Sequence, residues 1–221
     1  MNTCIFLTTR YASTRLQGKH FLEINGETVT DILIKRLKKT KIPIILTVPD
    51  TPEDEKYLKP IAERNAVGFF MGERQNIIKR HLDCCNENDI GYVILSEGDD
   101  WLVTSETINA VYNIAKELQF KKAIRTEGLP FGMNAIAYPR ENLEVDFSTD
   151  TNWGVHVTKD AFILKFNYER HYKLSMDYPE DFDVMQNVYL NCKRNEFVGG
   201  IVKYLDNHPE KAGINVKEKR Q

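Results

Sequence analysis

Along the first half of this 221-residue chain, short unbroken apolar runs alternate with longer segments whose apolar positions recur at helical spacing. The first run is Cys4, Ile5, Phe6 and Leu7. It stops at polar and basic residues, as a strand buried on both faces does where it enters a loop. Residues 31–39 then carry Ile32, Leu33, Ile34 and Leu37 near one helical face, and the strand, loop, helix unit repeats. Residues 43–48 predict a second buried strand, and 53–65 a helix with Pro52 near its start. Residues 67–70 read as a short strand, 77–86 as a helix, and 91–95 as a buried strand running into Ser96-Glu97-Gly98-Asp99-Asp100. Residues 104–118 predict a further helix, with Ser105 as its cap. This alternation predicts an α/β fold with a mostly parallel sheet flanked by helices. Ligands of such sheets gather outside the carboxyl ends of the strands, so residues 8–19 and 97–101 are the first places to look for chemistry.

Past residue 123 the pattern weakens. Gly128, Pro130, Gly132 and Pro139 punctuate residues 123–153, which predicts a small excursion serving as a lid, an inserted hairpin or a dimerisation segment. Residues 162–164 and 173–176 predict short strands, and 179–191 a helix whose acidic first turn suits the positive end of its dipole. One domain over residues 1–207 follows, with 208–221 as a polar tail expected to be mobile at its end.

Composition narrows the function. Thirty Lys and Arg against 32 Asp and Glu leave a net charge of -2, the wrong balance for a general nucleic-acid binder. With 42% hydrophobic and 28% charged residues the chain is ordinary for a globular protein. Cys4, Cys84, Cys85 and Cys192 lack the C-x-x-C spacing of zinc or redox sites and read as reduced, packed thiols. No apolar run approaches the roughly 18 residues that span a bilayer, and no basic segment precedes a long apolar stretch at the N-terminus. The cytoplasm is therefore the expected location, with no membrane insertion.

Candidate chemistry lies in the two loops. Residues 8–19 hold three cations (Arg10, Arg15, Lys19), the hydroxyls of Ser13 and Thr14, and Gly18, just after a buried strand. Polyphosphates want bidentate donors, point charges and backbone N–H groups, which this loop offers, although composition alone also fits a solvated basic surface. Asp99 and Asp177 each follow a strand-like run, so both would reach one crevice and hold Mg2+, which is commonly bound by one or two carboxylates plus substrate phosphates. For Asp177 the alternative is a helix cap before Pro179. Asp100 reads as a solvated loop acid. Trp101, Trp153, Tyr138 and Phe131 are core aromatics first and pocket candidates second.

The order of residues in the first loop carries a resemblance. Arg10-Tyr11-Ala12-Ser13-Thr14-Arg15-Leu16-Gln17-Gly18-Lys19 resembles the R-Y-x-S-T-R-L-P-G-K signature of 3-deoxy-manno-octulosonate cytidylyltransferases, which the spore coat polysaccharide biosynthesis protein F family shares. Phe70-Met71-Gly72-Glu73 to Arg80, Gly98-Asp99, Gly128-Leu129-Pro130-Phe131-Gly132-Met133, His156-Val157-Thr158 and Asp177-Tyr178-Pro179-Glu180-Asp181 are similar to later motifs of these families, in the same order. The resemblance implies a Rossmann-like, GT-A-like nucleotidyltransferase domain that moves CMP from CTP to a sugar, sugar-acid or polyol-phosphate acceptor in polysaccharide precursor synthesis, acting as a homodimer. It implies catalytic Arg10, Lys19 and Asp99. Nucleotide contacts fall to Thr8, Arg10, Ser13, Arg15, Lys19, Gly72, Arg80 and Gly98. His156, Trp101 and Arg125 would meet the acceptor, and Asp99 with Asp177 the metal. The chain departs from the pattern at Thr9, Gln17, Glu97 and Trp101, which touches base choice and acceptor identity rather than the phosphate and metal positions. A sugar-nucleotide-dependent glycosyltransferase and a non-catalytic nucleotide-binding module stay open as alternatives; the density of cations in the first loop speaks for a triphosphate.

Overall fold

A computed structural model gives the fold and describes residues 1–144 and 153–212. Part of the expected excursion (145–152) and the end of the tail (213–221) lie outside the described residues. In chain order the strands are β1 (Thr3–Thr8), a small hairpin of β2 (Glu23–Ile24) and β3 (Glu27–Thr28), β4 (Ile44–Pro49), β5 (Gly68–Gly72), β6 (Tyr92–Glu97), β7 (Ile124–Glu127), β8 (Ile136–Pro139) and β9 (Phe162–Lys165). The helices are α1 (Val29–Lys38), α2 (Pro52–Arg64), α3 (Ile77–Glu87), α4 (Ser105–Glu117), α5 (Trp153–Val157), α6 (Pro179–Asn191), α7 (Val198–Asp206) and α8 (Pro209–Ala212).

Seven strands form one sheet in the order β5-β4-β1-β6-β8-β7-β9. Every neighbouring pair is parallel except those made by β8, which runs antiparallel to both β6 and β7. From β1 the chain first builds outward through β4 and β5, then returns to lay β6 on the other side of β1. That reversal opens a crevice at the carboxyl ends of β1 and β6, the place where doubly wound sheets bind ligands. The β1 to β6 register brings Thr8 beside Glu97 there, and Gly98 donates its N–H to the Thr8 carbonyl at 2.9 Å.

Alternate residues of the central strands face different layers, as the two-residue period of a strand requires. Ile5 and Leu7 pack with α1, α2, α4 and the C-terminal helices α6 to α8. Cys4 and Phe6 pack with α3 and α5. All four cysteines are buried and free, as the sequence implied. Each early helix starts on a polar cap: Thr28 with Asp31 for α1, Thr51 ahead of Pro52 for α2, Asn76 for α3 and Thr104 for α4, one residue before the cap read from the sequence.

The second half differs from its reading. Residues 173–176 are not a strand; Lys173 makes a single bridge with Phe131. A helix, α7, runs through Gly199-Gly200, which the sequence reading passed over. The head of the expected tail is the short α8, packed beside α6 and α7. Among the described residues no helix is long and apolar enough to cross a membrane.

Candidate nucleotide site

The crevice at the carboxyl ends of β1 and β6 widens into an open cleft of about 780 Å3. Its rim is the loop from Thr8 to Lys19. Gly18 takes a left-handed backbone, φ 66°, and the next three residues tighten into a single 3-10 turn. That turn drives Lys19 and His20 inward, to 5% and 2% exposure. The other cations of the loop stay out: Arg10 is exposed, and the Arg15 side chain keeps 54% of its surface.

Lys19 organises the floor. Its Nζ lies 2.6 Å from Asp99 Oδ2, donates to the Met176 carbonyl at 3.0 Å and sits 3.8 Å from Asp177 Oδ1. Arg15 reaches Asp177 Oδ1 at 2.7 Å, and Lys173 approaches its other oxygen at 3.2 Å. The two acids named for metal thus converge on one cationic position from distant parts of the chain. Asp177 does not cap α6. Asp181 does that work, accepting the N–H of Asp177 at 2.9 Å and of Tyr178 at 3.0 Å. Among the described residues no group of three or more Asp, Glu, His or Cys gathers to hold a metal. Asp99 and Asp177 therefore supply two carboxylates, a donor set that fits a hard divalent cation completing its shell with phosphate oxygens and water.

The electrostatics follow from burial. Desolvation raises the Asp99 pKa despite the Lys19 ammonium, with the charge of Asp177 adding to it. Glu97 is raised as well, first because the surrounding protein desolvates it and then by Asp99, even though its side chain keeps an open path to solvent. Asp100 was read as a solvated acid; instead its Oδ1 is shut off from solvent without a partner, and desolvation followed by Glu97 pushes its pKa well above the ordinary carboxylate range. His20 donates from Nε2 toward Asp99 Oδ1 at 3.3 Å as a neutral imidazole, its pKa pushed down to about 3 by burial and then by Lys19 and Arg10. A Cβ on Gly98 would meet His20 Cε1 at 2.8 Å, so the glycine of the Gly98-Asp99 pair is what lets this ring lie against the strand end.

Thr8, Arg10, Ser13, Arg15, Lys19, Arg80, Gly98 and Asp99 all face the cleft. Arg80 rises from α3, 5% exposed, donating to the Glu73 carbonyl at 2.9 Å; burial draws its pKa down to about 10. Gly72 stands behind the lining, where a Cβ would strike Arg80 Cγ at 2.9 Å, so it makes room for that arginine. The residues expected at an acceptor lie elsewhere. Trp101 is fully buried in the core, edge-on to Tyr189 at 5.8 Å. Arg125 is exposed on β7, paired with Glu127 at 2.7 Å. His156 sits on α5 outside the cleft lining. Of the other aromatics only Trp153 lines the cleft; Tyr138 is buried beneath it, and Phe131, 60% exposed, is not among its walls.

Three cleft-side groups escaped the sequence reading. His20 follows Lys19, but nothing in the spacing says that the chain tightens there. His81 falls three and four residues from Ile78, Cys84 and Cys85 on the buried face of α3, a signal that it is interior rather than surface. Arg74, which lines the cleft and donates to the Asp50 carbonyl, sits between Glu73 and Arg80 and was passed over.

No protein-family model matches the chain. A 3-deoxy-manno-octulosonate cytidylyltransferase of Fusobacterium nucleatum is 22% identical over 187 residues, covering 73% of this chain and 74% of the relative. Among solved structures, a cytidylyltransferase from Leptospira borgpetersenii superposes with a TM-score of 0.84 at 20% identity, over 100% of this chain and 99% of the other. The CTP complex of a CMP:2-keto-3-deoxy-manno-octonic acid synthetase superposes with a TM-score of 0.64 at 11% identity, over 86% of this chain and 98% of the other. At these identities the superpositions speak to the fold, a nucleotidyltransferase-like α/β sheet.

Proposed function

We propose that this chain, similar to cytidylyltransferases in sequence and fold, transfers CMP from CTP to a hydroxyl of a sugar-type acceptor, releasing pyrophosphate. The observation that carries the reading is the floor of the switch-point cleft, where Lys19 is held between Asp99 and Asp177 beneath the cations of the first loop. The acceptor oxygen attacks the α-phosphorus, and the bond from that phosphorus to the pyrophosphate oxygen breaks. Arg10 and Arg15 at the rim, Arg80 on the wall and Lys19 on the floor meet the charge that spreads onto the departing pyrophosphate. Such donors act by positioning and electrostatics, so the chain needs no nucleophile of its own. Asp99 and Asp177 would hold Mg2+, which supplies charge neutralisation to the phosphates when bound. The acceptor class is drawn from the sugar acid in the name of the curated relative.

The test is pyrophosphate release from each of CTP, UTP, ATP and GTP with magnesium and a panel of acidic sugars, amino sugars and sugar and polyol phosphates, run beside Asp99→Asn. Release from CTP that requires an acceptor and vanishes in Asp99→Asn is the expected result. Absence of both turnover and CTP binding sinks the reading.

A further inference from the structure

Beneath the cleft wall runs a hydrogen-bonded chain that this proposed activity does not use. The Tyr138 hydroxyl meets His81 Nδ1 at 2.9 Å, His81 Nε2 meets Thr8 Oγ1 at 3.0 Å, and Thr8 Oγ1 meets Thr47 Oγ1 at 3.0 Å. Tyr138, His81 and Thr47 are all fully buried, and His81 is wedged edge-on between Phe6 and Trp153. Burial fixes the direction of every proton. His81 is the sole hydrogen-bond partner of the Tyr138 hydroxyl among the described residues, so Tyr138 must donate to Nδ1 or leave its proton unmet. Nε2 then carries the imidazole proton and donates to Thr8. Thr47 has Thr8 as its sole side-chain partner among the described residues and donates to it by the same reasoning. The Thr8 oxygen accepts twice, and its own proton is left for the cleft it lines.

Beside Thr8, in register on the next strand, stands Glu97. Paired residues on neighbouring strands are about 4.8 Å apart and point to the same face of the sheet. Glu97 also lines the cleft, and its carboxylate makes no hydrogen bond or ion pair of its own among the described residues. The wall therefore presents a hydroxyl donor next to a carboxylate acceptor. A flat ring with the reverse order, an acceptor nitrogen beside an exocyclic amino group, is its complement. Cytosine carries that edge at N3 and N4; uracil carries the opposite order, and a carboxylate accepting from the cytosine amino group is a familiar pairing.

Resting on the proposed CTP reading, we infer that Thr8 and Glu97 are the base-selecting pair of the cleft, with His81 and Tyr138 as positioning residues that aim the Thr8 proton at the base. The amidine edge is shared with adenine, so ATP is the arm that separates the two sources. Calorimetric titration of the full chain with CTP, UTP, ATP and GTP in magnesium buffer tests the assignment. The wild type is expected to bind CTP about tenfold more tightly than UTP, and more tightly than ATP. Glu97→Gln, whose amide can offer either an oxygen or an amino group, is expected to bring CTP and UTP within about twofold. Thr8→Val is expected to lose about tenfold in CTP affinity, and Thr8→Ser to keep it, which carries the test should Glu97→Gln fail to fold. An unchanged ratio of CTP to UTP in Glu97→Gln, or ATP bound better than CTP, overturns the base-selecting pair while the transferase reading stands. A wild type that binds no nucleotide takes both down.

Discussion

Lys19 and Arg10 belong to one loop, yet Lys19 is buried against two carboxylates and a carbonyl, whereas Arg10 is exposed with no ion pair among the described residues. The floor of the cleft is a closed electrostatic unit, holding Lys19 and His20 in place before any ligand arrives. The rim is more open: Arg10 is exposed, and Arg15, tied to Asp177 at 2.7 Å, still keeps 54% of its side-chain surface. A triphosphate entering such a cleft would meet exposed cations first and a buried cation last. On the proposed reading, the difference makes the floor a place where stability and chemistry would depend on the same residues, and the rim a place where binding and chemistry would not touch stability.

The sharpest way to break this distinction is Lys19→Met. With the ammonium gone, Asp99 loses its cation while Asp177 keeps Arg15 and Lys173, and a loss of about 2 kcal/mol is expected in urea unfolding, below the usual value for a broken buried pair because Asp99 is partly open. Pyrophosphate release should fall about 1000-fold in kcat/KM at the same time. A variant that lost activity and kept full stability would show the floor to be no more than a second rim. Arg10→Ala should do the reverse, costing about 100-fold in kcat/KM, with unfolding unchanged to within about 0.5 kcal/mol.

A pH titration probes the buried wall behind the floor. His81 faces Thr8, Tyr138, Phe6, Trp153 and the nearby Arg80 charge, and burial, followed by that charge, pushes its pKa down from 6.5 to about 3. The folded state keeps His81 neutral where the unfolded chain is protonated, so its contribution to stability is present above pH 6.5 and is lost as pH falls toward 3. The slope is at most about 1.4 kcal/mol per pH unit, and His81→Gln should remove that share of it in denaturation curves taken from pH 7 to 5.

The smallest effect belongs to the tie between rim and scaffold. Asp54, near the start of α2, accepts the Tyr11 N–H at 2.6 Å, and Tyr11 stacks on Tyr57 with ring centroids 4.4 Å apart. Asp54→Ala should cost about 1 kcal/mol of stability. It should also raise the KM for CTP a few-fold with kcat unchanged, since the rim loosens while the floor stays put.

The parallel half of the sheet was legible in the sequence because each of its elements buries itself locally and announces its period. Residues 4–7, 43–48 and 91–95 match β1, β4 and β6 to within two residues at each end. The second half was harder because its chain is held by partners far along the sequence. Phe166, Tyr168 and Leu174 donate to the carbonyls of Glu127, Gly128 and Phe131, a crosswise lacing with no periodic signature. Gly199 and Gly200 look like helix breakers but are contact points inside α7, where a Cβ would meet the Tyr168 hydroxyl at 3.1 Å and the Arg194 carbonyl at 2.2 Å. The cations and carboxylates of the cleft were readable from motif order. What stayed hidden was burial: the turn that sinks Lys19 and His20, and the inward face of Asp100.

The bond from Lys19 to the Met176 carbonyl joins positions 157 residues apart. For a chain emerging from the ribosome, that span leaves the cleft floor unfinished until long after its first strand has been made. The first strands and helices can collapse on one another as they appear, but their lysine must wait for the aspartate and carbonyl that complete its surroundings. Closing so long a loop carries an entropic cost that rises only slowly with length, so the delay is one of timing more than of energy. A nucleotide present during synthesis therefore meets a finished floor only once Met176 and Asp177 have been made.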